Sequence, residues 1–336
     1  MSGGEEKRNL SIATGRPDLL FKATGSCYKA SLNRVTLPDM PPPPLPGRRH
    51  FLTTLLGAGA AGLAATRASA LSYKGENLRY GLVTYMWGAD WPLADLIANC
   101  EQADVLGVEL RVDHAHGVSP ALTAAQREDV RARFEDSPVE VLGMGTNCAF
   151  HSSDADERKS QMSLAREYIK LSHDIGGSGV KVKPDKLPKD IPVERTLEQI
   201  GRSLAELGDQ ALGFGQELRL EVHGDVTDLG HIRTLMEIAD RPNVRVCWNS
   251  NKQDLAGEGL EANFAKVAEF LGRTVHVHEV DGGAYPHDKL AELLVGIDYD
   301  GWTLLEAASK PADRVTALAE QKKSFLELVT RARAKA

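Results

Sequence analysis

Four side chains with metal-binding chemistry stand at the ends of short apolar segments in the second half of the sequence. They are two carboxylates, Glu221 and Glu306, the amide of Asn249 and the imidazole of His278. Such oxygen and nitrogen donors together suit a divalent ion such as Mn²⁺, Mg²⁺ or Co²⁺, with Zn²⁺ also possible. The pattern predicts a metal site if the fold brings the four segments together.

The segments that carry these residues alternate in polarity, as β-strands do. In TVHVHEVD, residues 274–281, Val275 and Val277 would share one face and His276 and His278 the other. We interpret the deeper His276 as a packed, hydrogen-bonded histidine and His278 as the ligand. Polar residues deeper on other strands are interpreted as interlocking salt bridges, and these are Arg111, Arg219, Arg245 and Glu217.

Eight such strands are predicted, with amphipathic helical patterns between them. The strands cover residues 80–85, 107–112, 139–144, 179–184, 217–223, 244–249, 274–280 and 302–306. Alternating strands and helices indicate right-handed βαβ units, and eight units predict a (β/α)8 TIM barrel whose site lies at the C-terminal ends of the strands. An open doubly wound sheet is the alternative, but the first loop, TYMWGADWP, has no GxGxxG motif.

The first seventy residues do not have the pattern of the barrel. Residues 1–46 are polar and end in PPPPLP, which predicts a disordered extension. Residues 47–70 combine Arg48 and Arg49 with a Gly/Ala-rich apolar stretch and a final Ala-Ser-Ala, the layout of a twin-arginine signal peptide. We therefore expect an exported, periplasmic protein without a stable membrane anchor, whose barrel covers residues 71–336. Replacing both arginines by lysine should then block export.

The composition is that of an ordinary globular protein. The chain has 336 residues and a formal net charge of -7, which does not favour nucleic acid as a partner. Its four cysteines are too far apart for a zinc knuckle or a CxxC pair. The sequence leaves open whether the protein forms a homo-oligomer.

Several segments resemble the xylose isomerase-like barrel superfamily, the sugar phosphate isomerase/epimerase group. These are GVELR, LEVHGD, VHVHEVD and DGWTLLEAA, and the resemblance covers nearly all of residues 78–330. It implies that Glu221 and Glu306 are both metal ligands and the acid/base pair, on opposite sides of a bound sugar. Moving a proton next to a carbonyl requires an acid, a base and stabilisation of the enediolate, which a chelated metal supplies.

The sixth strand departs from the family pattern. It ends with Asn249 and Lys252, where the family usually has Asp and His. The lost carboxylate should weaken metal binding. The added lysine would either suit an acidic sugar or a sugar phosphate, or replace the charge of the metal altogether. The residues predicted to bind the small polyhydroxylated substrate are Glu109, Lys183, His223 and Lys252.

The favoured function is thus a metal-dependent sugar isomerase or epimerase. A lyase or dehydratase, similar to inosose dehydratase, is an alternative on the same barrel because enolisation is common to both reactions. A non-catalytic, exported sugar-binding barrel is a second alternative. A metallonuclease, which shares this architecture, is disfavoured by the negative net charge.

Overall fold

A computed structural model of the protein describes residues 74–283 and 285–336. The predicted extension and export signal lie outside the described residues. The strands are β1 Arg79–Val83, β2 Gly107–Arg111, β3 Glu140–Ala149, β4 Gly179–Lys183, β5 Glu217–Glu221, β6 Val244–Cys247, β7 Thr274–Val277 and β8 Trp302–Leu305. The helices are α1 Leu93–Gln102, α2 Ala124–Glu135, α3 Ala155–Asp174, α4 Val193–Gly213, α5 Leu229–Ala239, α6 Leu260–Val267, α7 His287–Gly296 and α8 Arg314–Arg333. All eight predicted strands are confirmed.

The eight strands form one parallel sheet in the order β6-β5-β4-β3-β2-β1-β8-β7. The ends of this sheet, β6 and β7, meet through isolated bridges that pair Val246 with Leu271 and Asn249 with His276. The backbone N–H groups of Gly272 and His276 donate across this junction to Val246 and Trp248, at 2.9 and 2.7 Å. The predicted (β/α)8 TIM barrel is therefore confirmed, and its junction between β6 and β7 is nearly closed.

Local sequence signals begin several of the helices that follow the strands. Asp154, Asp228 and Asp313 precede α3, α5 and α8, and each side chain accepts hydrogen bonds from backbone N–H groups of the first turn. Thr123 and Gln126 form a reciprocal capping box at the start of α2. Such caps satisfy orphan donors of the first turn, and they fix the point at which each helix begins.

The barrel has two apolar regions, the main core and a smaller cluster inside the barrel, and one polar region at the strand ends. Aliphatic residues such as Val108 and Leu110 of β2, which alternate with Glu109 and Arg111, are fully buried in the main core. A smaller buried cluster consists of Val83, Leu142, Trp302 and Leu304. Because Trp302 and Leu304 share the strand face of Glu306, this cluster fills the lower barrel. The polar residues of the candidate site lie above it, toward the strand ends.

Two glycines in β3 make room for the polar interior. Gly143 has a φ of 142°. Next to it, the pairing register between β2 and β3 shifts between Val108 and Glu109, which marks a bulge. A Cβ on Gly145 would lie 2.6 Å from Oε1 of Glu109. The bulge and the missing side chain therefore let the Glu109 carboxylate occupy the barrel interior.

Among the described helices, none combines the length and the apolar character that a membrane span requires.

Cys100, Cys148 and Cys247 are buried free thiols. Burial raises the pKa of Cys100 to about 12, which makes it an unreactive core residue at neutral pH.

Candidate active site

A polar cluster lies where β5, β6, β7 and β8 end. Glu221 is the last residue of β5, Asn249 follows β6, His276 lies in β7 and Glu306 follows β8. The Nδ2 group of Asn249 donates to Oε1 of Glu221 at 3.2 Å and to Oε2 of Glu306 at 3.0 Å. Nδ1 of His276 lies 3.2 Å from Oε1 of Glu221 and 3.8 Å from Oε2 of Glu306. The two predicted catalytic carboxylates thus meet on one amide and one imidazole.

Glu109 supports the imidazole from the opposite side. Its Oε1 atom lies 3.3 Å from Nε2 of His276, and both side chains are fully buried. We predicted that Glu109 binds the substrate, but the structure places it behind His276 and away from solvent. In this position the Glu109 carboxylate is within ion-pair distance of the imidazole.

Lys181 of β4 completes the cluster. Its Nζ group donates to Oε2 of Glu221 at 2.7 Å and to the carbonyl oxygen of Thr146 at 3.3 Å. The side chains of Lys181 and Glu221 are each only 1% exposed. Each oxygen of the Glu221 carboxylate therefore has a partner from within the barrel.

The charges of the cluster shift its titration. Burial alone would raise the pKa of Glu221, but Lys181 and His276 hold that pKa well below its ordinary value. The pKa of Glu306 is also lowered, because its contact with His276 outweighs burial and the repulsion from Glu221. Burial opposes a charged imidazole, yet the Glu109 carboxylate raises the pKa of His276 well above its ordinary value. The pKa values of the two carboxylates and of the imidazole are therefore shifted apart, as in a buried network of opposite charges.

His278, the predicted metal ligand, lies outside this cluster. Its Nδ1 atom is 3.0 Å from the carbonyl oxygen of Glu306, and its half-buried ring lines a cavity of about 700 Å³. Trp87, Ser250 and Lys252 line the same cavity. The structure thus brings His276 rather than His278 to the two carboxylates, and it places His278 and Lys252 in the cavity beside the site.

A second polar group lies at the ends of β4 and β5. Nζ of Lys183 is 3.4 Å from Nε2 of His223, whose Nδ1 lies 3.1 Å from Oδ1 of Asp185. Partial burial and the nearby Lys181 lower the pKa of Lys183. All three side chains are partly accessible to solvent, so Lys183 and His223 lie where a substrate-binding residue can act.

The interpretation of the deeper charges as salt bridges holds for only part of the set. Arg219 pairs with Glu217 at 2.9 Å, as expected. Arg111 instead donates to the carbonyl oxygens of Gly145 and Thr146 and to Oδ1 of Asn147. Arg245 is only partly buried and donates to the carbonyl oxygen of Glu269. Backbone carbonyls therefore replace the expected carboxylates for these two arginines.

The donors of the cluster fit a divalent ion. Glu221, His276 and Glu306 each offer one ligand atom, and these three atoms lie within 4.8 Å of one another. The Glu109 carboxylate lies 3.3 Å from the remaining ring nitrogen of His276, which is the position of the carboxylate beside many histidine ligands in metal sites. The Oδ1 atom of Asn249 is buried and has no hydrogen-bond partner among the described residues. These four residues are therefore the ones that would hold an ion.

Sequence reasoning missed His276 and Lys181 as members of the cluster. Adjacent parallel strands of a barrel are staggered along the barrel axis. Two residues at the same level of the axis can therefore lie at different distances from the ends of their strands. The bridge between Asn249 and His276 sets the height of the imidazole, and Lys181 pairs in register with Arg219, two residues before Glu221. Lys181 has the same phase as Lys183 in the alternating segment GVKVKP, but only the register between strands identifies its partner.

Comparison with known proteins places this barrel in a family. The family model described as xylose isomerase-like TIM barrel matches residues 97–328, and no curated protein sequence matches the chain significantly. An L-ribulose 3-epimerase structure is 18% identical, with a TM-score of 0.67 over 77% of this chain and 96% of that chain. The 3-keto-D-glucoside 4-epimerase YcjR from E. coli is 15% identical, with a TM-score of 0.63 over 75% and 99%. The IolI protein with a bound zinc atom is 16% identical, with a TM-score of 0.64 over 76% and 98%. Because the family model covers more than half of the sequence, the chain belongs to the xylose isomerase-like TIM barrel family.

Proposed function

We propose that this protein is a sugar isomerase or epimerase that transfers a proton next to a carbonyl group through an enediolate. The observation that carries the proposal is the convergence of Glu221 and Glu306 on Asn249 and His276 at the C-terminal end of the barrel. The epimerase names of two similar structures support the same reaction class.

The two carboxylates have the properties that proton transfer requires. Because the pKa values of both are lowered, each is a base at neutral pH. Glu306 is 13% exposed and Glu221 only 1%, so Glu306 is the carboxylate nearer to solvent. One carboxylate removes the proton from the substrate carbon and, now protonated, returns it to the neighbouring carbon to complete isomerisation. In an epimerisation the other carboxylate first takes up a proton from solvent and then delivers it to the opposite face of the same carbon. His276 and Asn249 keep the two groups oriented.

Glu221, Asn249, His276 and Glu306 would hold a divalent ion, with Mn²⁺, Mg²⁺ or Co²⁺ favoured and Zn²⁺ supported by the zinc-bound IolI structure. When bound, such an ion supplies Lewis-acid stabilisation of the negative charge on the substrate oxygens. His278, which we predicted as a ligand, faces the adjacent cavity and is proposed there to contact the substrate.

Cationic and polar side chains around the opening suit a hydroxyl-rich or acidic substrate. Lys183 and His223 lie on one side, at the ends of β4 and β5. Lys252 is exposed at the cavity beside Trp87 and His278. These groups would bind the hydroxyl, carboxylate or phosphate groups of a sugar by charge-assisted hydrogen bonds.

A dehydratase is the second candidate, and the contact between Lys183 and His223 favours it. Loss of a hydroxyl group requires an acid that protonates the leaving oxygen. His223 is held by Asp185 on one ring nitrogen and faces Lys183 with the other, so this pair is placed to donate that proton. Release of water from the substrate, in addition to proton exchange, would identify this reaction.

A solvent-deuterium exchange assay over ketoses and keto-inositols tests the proposal. We expect the wild type to exchange a proton at a carbon next to a carbonyl, and Glu221→Gln and Glu306→Gln to lower the exchange rate at least ~100-fold, the usual contribution of a general acid or base. Glu198→Gln, on the exposed face of α4, is the matched control and should exchange at the wild-type rate. Exchange that survives in both site variants, or sugar binding without exchange in the wild type, would contradict the proposal.

A further inference from the structure

The ammonium group of Lys181 lies in the same cluster that would hold a metal ion. Its side chain is 1% exposed and donates to Oε2 of Glu221 at 2.7 Å. The other oxygen of Glu221 is engaged by Asn249 and His276, both at 3.2 Å. Glu221 is thus fully coordinated by groups of this chain.

The donor set can hold a divalent ion, but the charges around it weaken that binding. Two carboxylates, Glu221 and Glu306, face the position between the strand ends, and the third oxygen donor there, Asn249, is an uncharged amide. An ion bound to Glu221 would share that carboxylate with a buried ammonium. Like charges in a buried site repel strongly because little water screens them.

We propose that Lys181 is the resident cation of the site. It holds the Glu221 carboxylate in place without a metal, and it makes the binding of a divalent ion weak. The inference concerns the site of the proposed function, but it rests on the contacts of Lys181 and not on the reaction that the site performs.

Lys183 shows why position matters more than the presence of a lysine. It lies two residues further along the same face of β4, but its Nζ group is 3.4 Å from a ring nitrogen of His223 and has no carboxylate within salt-bridge distance among the described residues. Lys183 is also partly exposed, so water screens its charge. Removal of this lysine should therefore affect metal binding much less than removal of Lys181.

Titration of the full-length chain with Mn²⁺, followed by the electron paramagnetic resonance of the free ion, tests the inference. We expect the wild type to bind Mn²⁺ weakly, with a Kd above ~100 µM, and Lys181→Met to bind at least tenfold tighter, about 1.4 kcal/mol. Lys181→Gln, which keeps a hydrogen-bond donor without the charge, should behave in the same way. Lys183→Met should change the affinity less than about threefold because its charge is partly screened.

A thermal unfolding measurement on the same proteins provides the second readout. The wild-type Tm should be insensitive to EDTA, whereas Mn²⁺ should raise the Tm of the Lys181 variants, since a ligand that binds the folded state stabilises it. A wild type that binds Mn²⁺ tightly, or that loses stability in EDTA, would overturn the inference, as would Lys181 variants with unchanged or weaker affinity. If neither variant folds, tight Mn²⁺ binding by the wild type or a loss of its stability in EDTA would still overturn the inference. Neither readout depends on turnover, so a failed deuterium exchange assay would leave this result unaffected.

Discussion

The contact between Glu109 and His276 provides a quantitative test of the buried cluster. The perturbation is Glu109→Gln, which keeps the shape of the side chain and removes its charge. At 3.3 Å between Oε1 and Nε2, two unit charges attract by about 5 kcal/mol at an effective dielectric constant of about 20. Loss of one partner from a buried pair typically costs about 3 to 5 kcal/mol. Because glutamine can still accept a hydrogen bond, we expect a loss of about 3 kcal/mol at pH 6.

The pH dependence of this loss follows from the directions of the two pKa shifts. His276 has a raised pKa in the folded state, so its contribution is complete below about 6.5 and is lost as the pH rises through the folded value. Glu109 has a lowered pKa, so its contribution is present above about 4.3 and is lost as the pH falls through the folded value. The loss caused by the substitution should therefore be largest between about pH 4.3 and 6.5 and should shrink at alkaline pH.

Urea unfolding at a series of pH values, with EDTA present throughout, measures this difference in the free energy of unfolding. Glu140→Gln is the matched control, since Glu140 is 51% exposed and pairs with Arg79 at 3.5 Å. It should cost less than about 1 kcal/mol, as exposed ion pairs do. A Glu109→Gln loss below about 1 kcal/mol, or an equal loss at pH 6 and at pH 9.5, would refute the assigned ion pair.

Two further predictions concern the packing and the titration of the barrel. Gly145→Ala should destabilise the protein by about 1 to 3 kcal/mol in urea unfolding, because the new methyl group would lie 2.6 Å from Oε1 of Glu109. Gly213→Ala is the control, since nothing lies within 4 Å of the added carbon at that position. An equal loss of stability at both sites would contradict the reasoning. Asp254 accepts a hydrogen bond from Tyr285 at 2.9 Å, and burial raises its pKa to about 7. The folded protein therefore holds this proton up to about pH 7 while the unfolded chain releases it near pH 4, so the ionisation costs stability as the pH rises. The stability of Asp254→Asn relative to the wild type should rise by roughly 4 kcal/mol between pH 4 and pH 8, and a pH-independent difference would exclude this titration.

The barrel was predictable because its elements depend on local patterns. In β2 the outward Val108 and Leu110 alternate with the inward Glu109 and Arg111, and every predicted strand of this kind is present. The convergence of Glu221, Asn249 and Glu306 followed from the same phase, combined with the rule that parallel strand ends meet at one edge. Local polarity was sufficient for this part of the site.

The positions of the remaining site residues depend on how neighbouring strands are aligned, and the sequence of a single strand does not contain that information. His276 and His278 have the same phase, so polarity does not distinguish them, and the height of β7 against β6 brings only His276 to the carboxylates. The placement of Glu109 behind the imidazole depends on the bulge in β3 and the absence of a side chain at Gly145. The role of Lys181 depends on the offset between β4 and β5.

The junction between β6 and β7 links the integrity of the barrel to that of its site. One of the bridges that hold these strands together pairs Asn249 with His276, the same two residues that orient the carboxylates. A local opening of the sheet at this place would separate the amide from the imidazole before any other strand had to move. Closure of the barrel and assembly of the polar cluster are therefore a single structural event, and mutations that loosen this junction from a distance would disturb the proposed active site without replacing any of its side chains.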